Sequence, residues 1–236
     1  MSLPNLFFRP HLGLGDHIVC NGMVRELHKK YDKFVMPVKC HNVKSVSRMF
    51  EDLDNVRLLS VINDFEADSH ALNYTRIGFE VLNLGHYGSS FMQNVKTFDE
   101  SFYVQAKVEY EKRWDTFFYP INKEKEREVY MTFCDEVGEE YIFVHDDPSR
   151  SLSIDKSHLP DLPIVSPGHK FGTSGEINFF DYGLLIRNSH EIHCMDSSFA
   201  IFIDHLNTDK VKRKMIHRYL RNQNMNPYYR NNWEII

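Results

Sequence analysis

Four stretches of the sequence place polar side chains where an apolar strand pattern gives way to a loop or helix. The first is "GLGD" at 13–16, in which Gly13 and Gly15 precede a helical pattern and Asp16 falls at its N-cap. Glycines there allow a tight turn and close approach of a ligand, and a helix start offers unsatisfied N–H groups. An Asp at that position also caps a helix with no ligand at all. The second stretch, "EIHCMDSSFAIFIDHL", runs from a buried strand through Asp196, Ser197 and Ser198 into an apolar helix, so hydroxyls and amides stand together as an anion site or as a plain cap. The third, "YIFVHDDPSR", ends a strand in His145, two carboxylates, a Pro turn and Arg150, whose fork of donors suits phosphate; Asp-Pro-Ser is equally an ordinary turn. The fourth is a Gly-rich loop with Ser166, His169, Lys170, Thr173 and Ser174, and with Glu176 as a candidate for ribose hydroxyls.

Several chemistries are excluded by what these stretches lack. The dinucleotide fingerprint needs a third glycine where Ile18 and Val19 stand, and no Walker lysine follows the first glycine loop. There is no Gly-x-Ser-x-Gly elbow and no Cys/His pair arranged as a thiol nucleophile. Thirteen histidines invite a metal, yet no H-E-x-x-H or Cys/His framework exists, and His190 and His193 straddle a helix-to-strand transition. No metal ligands and no cofactor are expected.

The elements that must position these residues alternate along the chain. Strands are expected at Asn5–Phe8, Phe34–Val38 and Val56–Ile62, with helices from His17 and over His41–Phe50. This alternation marks a parallel α/β sheet. From Asp64 to Tyr119 the pattern blurs into aromatic, loop-rich sequence, with a strand at Thr75–Leu82 and a helix around Val104–Phe117; such a segment can line an acceptor cleft or simply fill space between elements. After Pro120 a charged helix carries Val129, Met131, Phe133 and Val137 on one side and closes at Gly138. A second α/β series follows: strands at Tyr141–Val144, Leu162–Val165, Glu191–Met195 and Lys214–Leu220, and helices at Asn178–Asn188 and Phe199–Leu206. Two halves result, 1–120 and 121–236, whose ligands belong at the C-terminal ends of the strands.

With 236 residues, 42% apolar and 26% charged, the chain is of ordinary globular composition. A net charge of −5 gives no global reason to expect nucleic acid, although Lys210–Arg221 is locally basic. Cys20, Cys40, Cys134 and Cys194 are widely spaced, as reduced thiols of a cytosolic protein are. No apolar run reaches about 18 residues and no leader pattern opens the chain, so a cytoplasmic protein without a transmembrane segment is expected.

"GLGD" at 13–16 and "DSSFAIFIDHL" at 196–206 together resemble the paired motifs of GT-B glycosyltransferases, nearest to the heptosyltransferase-like family. Ser198 stands where that family often has glycine. The resemblance implies two Rossmann-like α/β/α domains facing a cleft in a compact GT-B arrangement, with an acceptor-side domain over 1–120 and a nucleotide-sugar-binding domain over 121–236. It implies a C-terminal tail packing back on the first domain through Tyr229 and Trp233. It further implies a glycosyltransferase of hexosyl- or heptosyl-transfer type, metal-independent and inverting, using a nucleotide-sugar donor and a glycan or other hydroxyl acceptor. Asp16 would be the base, while Asp196, Ser197 and Ser198 would present amides and hydroxyls to the diphosphate. Gly13, Gly15, His145, Arg150, Lys170 and Glu176 complete the expected donor and phosphate contacts. A nucleotide-sugar epimerase, or a non-catalytic nucleotide- or sugar-binding module, would need the same donor site without the acceptor chemistry.

Overall fold

The structure is a computed structural model that describes residues 3–85, 95–167, 177–218 and 227–236. By its contacts the chain divides into two compact units, Met1–Pro120 and Ile121–Ile236. Each is built on its own parallel sheet.

In the first unit β1 (Asn5–Arg9), β2 (Lys33–Lys39), β3 (Val56–Val61) and β4 (Glu80–Asn83) lie in the order β3-β2-β1-β4, every pair parallel. The central strands are apolar in nearly continuous runs because both of their faces are covered. Between them run α1 (Leu14–Val19), α2 (Asn21–Leu27), α3 (Val43–Phe50) and α4 (Asp64–Arg76). Phe7 and Val35 pack with Ala71 of α4, joined by Leu59 and Val81, so one sheet face is closed by a helix whose small residues let it lie close. The helix expected from His17 starts earlier, at Leu14, and is divided at Cys20. There the buried Asn21 side chain both donates to Phe118 O and accepts from Phe118 N, tying the helix to the end of the unit.

The region of blurred pattern is where expectation and structure differ. Asp64–Arg76 is a helix throughout, taking in the start of the strand expected at Thr75–Leu82, which is reduced to the shorter β4. Asn63 caps α4 by accepting from Glu66 N, while Glu66 reaches back to Ile62 N. In place of one helix at Val104–Phe117 there are α5 (Phe98–Ala106) and α6 (Lys112–Asp115), separated by Lys107 in the left-handed region at φ 54°. Asp99 and Arg113, both fully buried, pair across this break, and Tyr110 donates to the same carboxylate.

In the second unit β5 (Ile142–His145), β6 (Ile164–Val165), β7 (Glu191–Cys194), β8 (Arg213–Ile216) and β9 (Glu234–Ile235) form a parallel sheet in the order β6-β5-β7-β8-β9. The charged helix α7 (Lys123–Val137) is capped by Asn122 and ends at Gly138. It buries Val129 and Phe133, whereas Met131 is 45% exposed and does not share that face. The stretch from Asn178 starts as a 3-10 turn, Phe179–Tyr182, before α8 (Gly183–Arg187), and α9 (Ser198–Ile203) follows β7. The tail belongs to this sheet. Tyr229 donates to Asp196 and Trp233 Nε1 to Asp204, and β9 pairs with β8. No helix among the described residues is long and apolar enough to cross a membrane.

Candidate functional site

In the second sheet the chain steps from β5 to β6 on one side and then to β7 on the other. The carboxyl ends of β5 and β7 therefore flank the point where strand order reverses, which is where open α/β sheets bind ligands. His145 closes β5 and Asp196-Ser197-Ser198 follows β7, so two of the sequence stretches meet here. Ser197 Oγ lies 3.0 Å from His145 Nδ1 and accepts from Ala200 N at the start of α9. That hydroxyl can also give its own proton to His145 Nδ1 or take one from it, according to the ring's tautomer. The ring leans on Phe199 at 4.6 Å between centroids, and burial pushes its pKa down to about 4 in spite of Asp147 and Asp146. His145 is thus a neutral imidazole at neutral pH, with one N–H and one acceptor nitrogen.

The charged residues around it are arranged differently from the expectation. The carboxylate of Asp196 is 2% exposed and turned inward, taking Arg218 Nε at 2.9 Å, Arg218 Nη2 at 3.2 Å and the Tyr229 hydroxyl at 2.9 Å. It fixes the turn that presents Ser197 and Ser198; its side chain is not offered to a ligand. Arg150 is bound to Asp147 at 2.7 Å, so its charge is already balanced locally. Asp146 accepts from Ile154 N and from Lys156 Nζ. Lys170 and Glu176, with His169, Thr173 and Ser174, lie outside the described residues. Arg218 and Asp204 were not singled out in the sequence. Asp204, fully buried at the end of α9, accepts from Arg230 N, Asn231 N and Trp233 Nε1, and so clasps the tail.

In the first unit the strand order reverses at β1, with β2 on one side and β4 on the other. The loop after β1 carries "GLGD", and it meets the end of β4 where His11 Nε2 lies 3.0 Å from Gly85 O. Gly85 has φ +80° and its Cα faces the His11 ring so closely that no side chain fits. Gly13, not Asp16, is the N-cap of α1; Asp16 is the third residue of that helix, half-buried, with a carboxylate that leans back over Gly13. A Cβ on Gly13 would lie 2.6 Å from Asp16 Oδ2, so a larger residue there would push the carboxylate aside, while the backbone angle of φ −71° is open to any residue. Gly15 is an ordinary helical residue beside it and has no positive φ. His17, the next residue after Asp16, is fully buried, and neither of its ring nitrogens has a hydrogen-bond partner among the described residues.

Among the described residues no group of three or more His, Cys, Asp or Glu side chains is placed to share a metal ion. No family model matches the sequence, and comparison with curated proteins finds no match. Comparison with solved structures finds a likeness to the glycosyl transferase family 9 protein from Veillonella parvula DSM 2008. It covers 100% of this chain and 87% of that one, with a TM-score of 0.56 and 9% identity. At that identity the likeness is one of fold.

Proposed function

We propose that the protein is a glycosyltransferase that moves a sugar from a nucleoside-diphosphate donor to an acceptor hydroxyl, with inversion and without a metal ion. The observation that carries this reading is the His145–Ser197 pair at the strand-order reversal of a parallel sheet, in a chain whose fold is like that of a family 9 glycosyl transferase. In this proposal unit 121–236 takes the donor and unit 1–120 the acceptor. Ser197, Ser198, the amides at the start of α9 and the His145 ring face the diphosphate. Arg150, paired with Asp147 but with its side chain 53% exposed, turns a free N–H to the phosphates, Lys170 adds positive charge, and Glu176 takes the ribose hydroxyls.

Asp16 acts as the base. As the acceptor oxygen forms its bond to the anomeric carbon, the bond from that carbon to the diphosphate oxygen breaks and the acceptor proton passes to the Asp16 carboxylate. A positioned base contributes about 10²- to 10⁴-fold to such a step, and donors aimed at the departing oxyanion stabilise the charge that develops there.

Asp16→Asn tests the assignment. Transfer should fall by about 10²-fold or more, with donor affinity and folding unchanged. A variant that binds donor and transfers as well as wild type would remove Asp16 from the chemistry. Donor binding by wild type with no transfer to any acceptor and no epimerised sugar would leave a binding module.

A further inference from the structure

We propose that His193 Nδ1 and His217 Nε2 together bind one divalent transition-metal ion of the zinc class, at the wall of a cavity separate from the His145–Ser197 site. The cavity, about 520 Å³, lies in the second unit. Its floor is one face of the sheet, where alternate residues Glu191 and His193 of β7 and Arg213 and Met215 of β8 point the same way, followed by His217. His193 is in register with Val144, whereas His145 is in register with Cys194, so the two histidine sites sit on opposite faces of the sheet. Val144 packs with Ile154 and Met195 on the cavity's side, and His145 lies against Phe199 on the other.

The two imidazoles aim ring nitrogens at one another across 3.0 Å, and each residue is almost fully buried. Two imidazole nitrogens sharing a tetrahedral zinc at 2.0–2.1 Å stand about 3.3 Å apart. An opening of a few tenths of an ångström, with both rings rotated so that their lone pairs converge on a point beside the N···N line, converts the contact into a coordination site. The second nitrogen of His193 is held by Glu191 Oε2 at 3.1 Å. A carboxylate on the far nitrogen fixes the tautomer and directs the remaining lone pair at the metal, the arrangement that orients metal-ligating histidines generally. Ion binding displaces the proton between the rings, which moves to the other nitrogen of His217 or to solvent.

Burial keeps both imidazoles neutral, the form that binds a metal, and carboxylates stand near them. Glu191 and Asp155 line the cavity, and the guanidinium of Arg213 is bound to Glu234 at 2.6 Å. With two protein ligands in place, water or a small molecule in the cavity completes the coordination. The inference stands independently of glycosyl transfer.

The test is calorimetric titration of Zn²⁺ into the chelator-treated full chain. One equivalent should bind saturably, and His193→Ala and His217→Ala should each weaken it at least tenfold. Glu191→Gln, which leaves both ligands in place, should weaken it about 10- to 100-fold. Should either alanine variant fail to fold, imidazole ¹⁵N shifts of the wild-type protein decide the matter, since Zn²⁺ must move His193 Nδ1 and His217 Nε2. Absence of saturable binding, an affinity unchanged in the folded variants, or ¹⁵N shifts confined to other histidines would overturn the proposal.

Discussion

His17 should make the first unit sensitive to mild acid. Its ring is fully buried and burial pushes its pKa down to about 3, whereas in the unfolded chain it titrates near 6.5. Above pH 6.5 both states hold the ring neutral and nothing is lost. As pH falls through 6.5 the unfolded chain takes up a proton that the folded chain refuses, so stability drops with pH. Between pH 7 and pH 5 the loss from this one residue is about 2 kcal/mol. His17→Leu removes the proton and two buried nitrogens that lack partners among the described residues. It should be at least as stable as wild type at pH 7 and should be about 2 kcal/mol more resistant than wild type to the change from pH 7 to pH 5. Urea unfolding in a Trp233→Phe background makes Trp114 the reporter, in the same unit as His17. Parallel stability–pH profiles for wild type and His17→Leu would refute the reasoning.

Other expectations follow from the same contacts. Asp204→Ala removes the acceptor for three tail donors and should cost about 3 kcal/mol, with Trp233 fluorescence shifting red as the tail loosens. Gly85→Ala should cost about 1–3 kcal/mol, because the backbone is left-handed there and the new methyl meets His11; in a double-mutant cycle His11→Ala should recover part of that loss. Arg113→Met leaves Asp99 buried without its guanidinium and should cost about 3–5 kcal/mol in urea unfolding, far more than removing the exposed Lys125–Glu128 pair. His145, pushed down to about 4 by burial, should stay neutral by NMR titration through pH 6, and a ring that protonates near 6.5 would contradict its burial beside Phe199.

Strands β1, β2 and β3 and helix α7 were legible because their apolar runs are long, regular and bounded by turn or cap residues. Helix α4 was obscured because its buried residues are only Ala67 and Ala71, while Phe65 and Leu72 face outward at 82% and 64% exposure. Its capping pair, Asn63 and Glu66, was nevertheless in the sequence at the right spacing. The meeting of "HDDPSR" with "DSS" could be inferred from strand ends, since parallel strands bring their carboxyl ends together. The inward turn of Asp196 could not, because its partners Arg218 and Tyr229 lie 22 and 33 residues away and come together only through the tail. The His193–His217 contact is hidden for the same reason: one ring comes from β7 and the other from the residue after β8, and no local spacing relates them.

The central claim is a donor site at the His145–Ser197 pair. A thermal-shift titration with UDP, GDP, ADP, CMP and their sugars tests it most directly, since a ligand at 100 times its Kd stabilises the native state by about 2.7 kcal/mol. The account predicts that one nucleotide series raises the melting temperature and that Ser197→Ala abolishes the rise. No shift with any of them, or a shift that Ser197→Ala leaves intact, would contradict it.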